Sequence, residues 1–95
     1  MALRRPKVII RKLGREGAWG QCHYDPAAPT VEIDPRLGAK RRLEVLVHEA
    51  VHLFFGPDLP EAKVDAAGKY IRDVLWAENY RQVLLEPNSK PPRIT

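Results

Sequence analysis

Ninety-five residues with a single cysteine and a formal net charge of +4 describe one small domain with one core and no internal disulfide. The basic amino terminus is followed only by Val8-Ile9-Ile10 before Arg11 and Lys12, too short for a secretion signal, and no run approaches a membrane span. A soluble cytoplasmic protein is therefore expected, and dispersed positive charge without a recognisable nucleic-acid motif leaves nucleic acid a possible but unfavoured partner.

In chain order, Lys7 to Leu13 carries Val8, Ile9 and Ile10 and predicts a first strand, with Gly14 and Gly17 in the turn after it. Trp19 to Asp25 predicts a second strand, with Gly20, Cys22 and Tyr24 on one face and Trp19, Gln21, His23 and Asp25 on the other. After Pro26-Ala27-Ala28-Pro29, the stretch Thr30 to Asp34 alternates Val31 and Ile33 inward with Thr30, Glu32 and Asp34 outward, a half-buried third strand. An antiparallel meander is the simplest arrangement.

Asp34-Pro35 has the pattern of a helix N-cap and first turn, with a helix that settles after Gly38 and runs to about Phe55, where Gly56-Pro57 stops it. Its core stripe is predicted on Leu43, Leu46, Val47, Ala50 and Phe54, leaving His48 and His52 on another face. Asp58-Leu59-Pro60-Glu61 restarts the chain with the pattern of a capping box. A second helix is predicted from there to about Leu85, on Val64, Ala67, Ile71, Val74 and Leu75. The domain is thus expected to span residues 1–85, with the proline-containing residues 86–95 as a disordered tail. The fold class expected is α+β: a small three-stranded antiparallel sheet packed on two antiparallel helices.

The chemistry lies in His48-Glu49-Ala50-Val51-His52, which reads HExxH. Four residues apart on a helix, the two imidazoles share one face and can close on one Zn2+ ion. Glu49 flanks the ion as general base for a water in the open position. A third protein ligand is expected across the short interhelix loop. Reflecting the chain about Asp58-Leu59 sets His52 opposite about Asp65 and His48 opposite about Lys69, so Asp65 is the expected ligand, with Gly68 permitting close helix approach. Glu61, one turn earlier on the same face, is the rival, although its place in a capping box gives it another role. His23 is a weaker candidate. A donor for the developing oxyanion is sought among Tyr24, His23, Tyr70 and Arg72, and Cys22 reads as a small buried hydrophobe.

The stretch Leu43 to His52 and the Asp65-Ala66-Ala67 helix resemble the zincin metallopeptidases, in particular the small intracellular group related to ImmA/IrrE-type proteins and short phage HExxH proteins. The resemblance covers about residues 18–80. It implies a minimal zincin core with His48, His52 and Asp65 as zinc ligands and Glu49 as base. It also implies that an edge strand above the cleft pairs with an extended substrate, a role assigned to Thr30, Val31, Glu32 and Ile33. The spacing from His52 to Asp65 is shorter than in the larger relatives, and no helix-turn-helix domain accompanies the core.

The function expected is a zinc metallopeptidase acting on a protein or peptide substrate. The alternative is a zinc-stapled, non-catalytic adaptor module that contacts a protein or nucleic acid, with both Glu61 and Asp65 closing the site. Hydrolysis of a non-peptide bond such as a phosphodiester is a third reading.

Overall fold

The computed structural model describes residues 4–13 and 19–82. Three short strands, β1 (Lys7–Ile10), β2 (Gly20–His23) and β3 (Thr30–Ile33), precede two helices, α1 (Ala39–Phe55) and α2 (Glu61–Ala77). The α+β class with three strands and two helices is as expected, but among the described residues the sheet meets α1 alone, and α2 lies on the far side of that helix instead of against the sheet. The expected glycine turn at Gly14 and Gly17 and the carboxyl-terminal tail lie outside the described residues.

The sheet itself is not the expected meander. Its order is β1-β3-β2, with β1 parallel to β3 and β2 antiparallel to it. Short strands share the same period in any order, so the sequence pattern does not distinguish the two arrangements. Tertiary bonds decide it: beyond β1, the Leu13 N–H donates to Asp34 Oδ2 at 3.0 Å and Arg11 N–H to the Ile33 carbonyl at 3.0 Å, drawing β1 alongside β3.

As the central strand, β3 is buried on both faces. Val31 and Ile33 join Leu37 and Val45 in the core beneath the sheet, with Cys22, Leu46 and Leu53 packed around them. On the opposite face the buried Glu32 carboxylate accepts hydrogen bonds from Arg11, from Gln21 Nε2 at 2.8 Å and from His23 Nε2 at 2.5 Å. These bonds, the Arg11 guanidinium first among them, pull its pKa down to about 2 and let a charge sit in a central strand.

Both predicted caps are used differently. Asp34 lies before α1 and closes a local turn, Oδ1 accepting from Arg36 N–H at 2.9 Å, while the Arg36 guanidinium holds the carboxylate and depresses its pKa. The helix begins after Gly38 without a side-chain cap. At α2 the expected capping box does not form either, since the helix opens at Glu61 behind Pro60 and has no side-chain cap.

The second helix stops at Ala77 rather than near Leu85. Asn79 adopts the left-handed conformation (φ 65°), Tyr80 N–H donates to the Leu75 carbonyl at 2.9 Å and Asn79 N–H to the Trp76 carbonyl at 3.0 Å. This pair of bonds is the Schellman termination, which the apolar periodicity past Leu75 concealed.

The buried seam of α1 also departs from the single stripe predicted. Phe54 is exposed, whereas Glu44, Val45 and Glu49 are buried. The helix is sandwiched, one side meeting β2 and β3 and the other α2, so two faces are covered instead of one. On the α2 side, Glu44 accepts from both Arg41 and Arg72 and thereby ties the helices together. Val64 is fully buried at this interface, and Gly68 packs on His48. Among the described residues, no helix is long and apolar enough to cross a membrane.

Candidate metal centre

The HExxH segment lies in the last three turns of α1, so His48 and His52 stack one turn apart with ring centroids 4.9 Å apart. Both rings point toward the first turn of α2. There the Glu61 carboxylate spans them, Oε1 lying 2.7 Å from His48 Nε2 and Oε2 2.9 Å from His52 Nε2. One donor atom from each of His48, His52 and Glu61 falls within 4.8 Å of the other two. The imidazoles are mostly buried while the Glu61 side chain is 68% exposed, so the cluster opens to solvent on the α2 side.

Asp65, the ligand expected from the interhelix reflection, stands differently. Its Oδ1 is 4.0 Å from His48 Nδ1, the nitrogen that does not face Glu61, and its Oδ2 pairs with Lys69 at 3.0 Å. The Lys69 ammonium holds its pKa below the usual range. The reflection itself located the backbone well, because Gly68 sits against His48 as expected. What it missed is that the loop releases Glu61 from its cap role, and that the extra methylene of glutamate carries the carboxylate back to both rings.

Glu49 is buried and lines a cavity of about 240 Å³ together with His48, Glu61, Asp65, Arg41 and Gly20. Gly20 earns its place by sterics. A Cβ there would collide with the Val45 side chain and stand 3.5 Å from Glu49 Cγ, so only glycine lets β2 lie directly over the HExxH helix. A glycine inside a predicted strand was the signal that could have marked this wall from sequence.

Cys22 continues the same face of β2 into the core, where burial, reinforced by the charge of Glu49, pushes its thiol up to about 11. It is half-buried rather than buried as expected, packs against the core cluster and is protonated near neutrality. Of the four oxyanion candidates, His23 is on the far face of the sheet with Glu32, Tyr70 is 72% exposed, and Arg72 is engaged by Glu44 and Asp73. Tyr24 shares the face of Gly20 and Cys22. Burial and Cys22, with smaller effects from the Glu49 and Glu61 charges, push its pKa up to about 12, so it stays a hydrogen-bond donor.

The expected substrate strand is corrected by the topology. Thr30, Val31, Glu32 and Ile33 are flanked by β1 and β2 and have no free edge. The free edge next to the cavity belongs to β2, which pairs only with β3 among the described residues.

The donor set fits a transition-metal ion such as zinc: two imidazole nitrogens and a carboxylate oxygen converge, with one side open. His52 Nδ1 is buried without a hydrogen-bond partner. It lacks a partner in either state, as a bare acceptor when Nε2 carries the proton and as a bare N–H when a cation occupies Nε2, so the fit rests on the three converging donor atoms. Comparison with family models, with curated proteins and with solved structures returns no match.

Proposed function

We propose that this chain is a zinc-dependent peptidase in which His48, His52 and Glu61 hold the ion and Glu49 is the general base. The observation that carries the reading is the single Glu61 carboxylate reaching both HExxH imidazoles at 2.7 and 2.9 Å while Glu49 lines the same cavity. The resemblance of Leu43 to His52 to the zincins agrees with the roles of His48, His52 and Glu49, though it implied Asp65 in place of Glu61.

Zinc bound there would supply a Lewis acid that activates water and polarises a carbonyl. The chain's own residues do the rest. Glu49, held on a buried helical turn beneath Gly20, accepts the proton of the attacking water and delivers it to the departing amine. Of the four oxyanion candidates Tyr24 alone shares the face of Gly20 and Cys22, but it lines a neighbouring cavity with Leu53 and Phe54, so the oxyanion donor is left unassigned. An extended peptide adds to the free edge of β2, so backbone bonds align it over the cavity without a deep pocket. Such a substrate fits a cytoplasmic protein with an accessible, unstructured segment.

A purely structural zinc staple needs a fourth protein ligand, and Asp65 is the carboxylate available for it. Its pairing with Lys69 argues against that closure.

The test is the elemental content of purified protein followed by cleavage of an unfolded protein, read by mass spectrometry. About one zinc per chain, with cleavage lost in Glu49→Gln while the metal stays, is the expected result. Cleavage that persists in Glu49→Gln would remove the mechanism, and no zinc uptake by folded protein would remove the centre.

A further inference from the structure

Phe54 is a large aromatic residue that the core does not use. It lies in the last turn of α1, just past His52, and is 67% exposed, yet its ring is set edge-on against Phe55 with centroids 4.9 Å apart. The end of β2 and the turn after it bring Tyr24, Pro26 and Pro29 to the same place, and Leu53 joins them from the core. Together with Phe54 these residues line a cavity of about 220 Å³. Arg4 and Asp25 complete it, one charge of each sign, and Arg4 Nη1 also donates to the Ala27 carbonyl at 3.4 Å. The lining is thus mainly apolar and carries no net charge.

This cavity continues the line of the metal centre. Gly20 of β2 rests against Val45 and Glu49 of α1, and four residues further on Tyr24 meets Leu53 and Phe54, so strand and helix run side by side in the same direction. Cys22, between Gly20 and Tyr24, interacts with both Tyr24 and Glu49. At about 3.3 Å per residue, the step from Gly20 to Tyr24 is about 13 Å, and side chains on one face of a strand recur at every second residue. A peptide paired with the free edge of β2, its cut bond over Glu49, therefore carries a side chain two to four residues away to the mouth of this cavity. Pockets for whole small molecules measure about 300–1,000 Å³, so the smaller volume here suits a single side chain.

We propose that the cavity between Tyr24, Leu53 and Phe54 is a specificity subsite that takes one large apolar side chain, Leu, Met or Phe, of the peptide lying on β2. The inference rests on the peptidase reading and deepens it: the substrate is an extended segment with an apolar anchor two to four residues from the cut bond. Backbone pairing along β2 is blind to sequence, so this pocket supplies the selection.

The experiment gives the full zinc-loaded chain a library of blocked peptides of varied sequence and identifies the cuts by mass spectrometry. Leu, Met and Phe are expected to dominate at one position two to four residues from the cut, with kcat/KM at least about tenfold above Ser at that position. Phe54→Asp, a change at an exposed site, is expected to lose that preference and to favour Lys or Arg there, with zinc content unchanged. Cuts without such a position, or a preference that Phe54→Asp leaves intact, would overturn the subsite while the peptidase stands. A second readout needs no cleavage: N-acetyl-leucinamide is expected to shift the Leu53 methyl signals in the NMR spectrum of the full chain, and N-acetyl-serinamide to leave them in place. Should the wild type cut nothing while Leu53 still answers to the leucine probe alone, the peptidase reading falls and the apolar pocket is upheld. Leu53 signals that ignore the leucine probe would overturn the pocket, and signals that move with protein concentration alone would overturn it in favour of a second copy.

Discussion

Gly20 of β2 rests on the Val45 side chain of α1 so closely that no Cβ fits between them. This contact sets the height of the sheet above Glu49 and hence the shape of the cavity. Gly20→Ala is expected to cost about 1–3 kcal/mol, the range for overpacking a core, read as a lower urea midpoint. Val45→Ala opens the space, so the Gly20→Ala, Val45→Ala double variant should be less destabilised than the sum of the two. Additive losses would show that the strand avoids Val45 in some other way.

Glu61 and Asp65 are separable by metal titration. Glu61→Gln should weaken zinc binding at least about tenfold, a floor taken from the effect of outer-shell changes, while Asp65→Asn should leave one equivalent bound. The reverse result would return the third position to Asp65. Zinc affinity should also fall with pH, since protons compete for His48 and His52.

Glu32 links the sheet to pH. Its carboxyl titrates at about 2 in the folded protein against an ordinary 4.5, so the unfolded chain binds the proton more readily. The stabilisation from Arg11, His23 and Gln21 is therefore complete above about pH 4.5 and is lost as pH falls toward 2. Urea midpoints measured across this window should drop for the wild type and much less for Glu32→Gln. An equal drop in both would place the acid sensitivity elsewhere, Asp34 being the next group to examine.

Gly68 offers a contrast with Gly20. A Cβ at position 68 would lie 3.4 Å from His48 Cβ and 3.6 Å from the Glu44 carbonyl, ordinary contacts that require no shift. Gly68→Ala should stabilise α2 by up to about 1 kcal/mol, the helix propensity difference, with zinc uptake unchanged. A loss of stability would mean that the helices cannot yield even the last tenths of an ångström.

The local patterns were legible in the sequence because each rests on neighbours in the chain. HExxH spacing put His48 and His52 on one helical face, the alternation of Val31 and Ile33 marked a strand, and Gly56 ended α1, its φ of 85° being one that glycine alone adopts cheaply. Reflection about the interhelix loop even set Gly68 against His48.

What the tertiary structure decided were the choices among partners of equal local merit. Glu61 could serve a cap or two histidines, Asp65 could serve the histidines or Lys69, and three short strands could lie in more than one order. Periodicity is blind to such alternatives, because a hydrogen bond within one turn and a hydrogen bond across the fold satisfy the same oxygen. The bond from Leu13 to Asp34 made β3 central, and the departure of the chain from α1 at Gly56 brought the Glu61 carboxylate back over both rings. Long-range geometry alone selects between them.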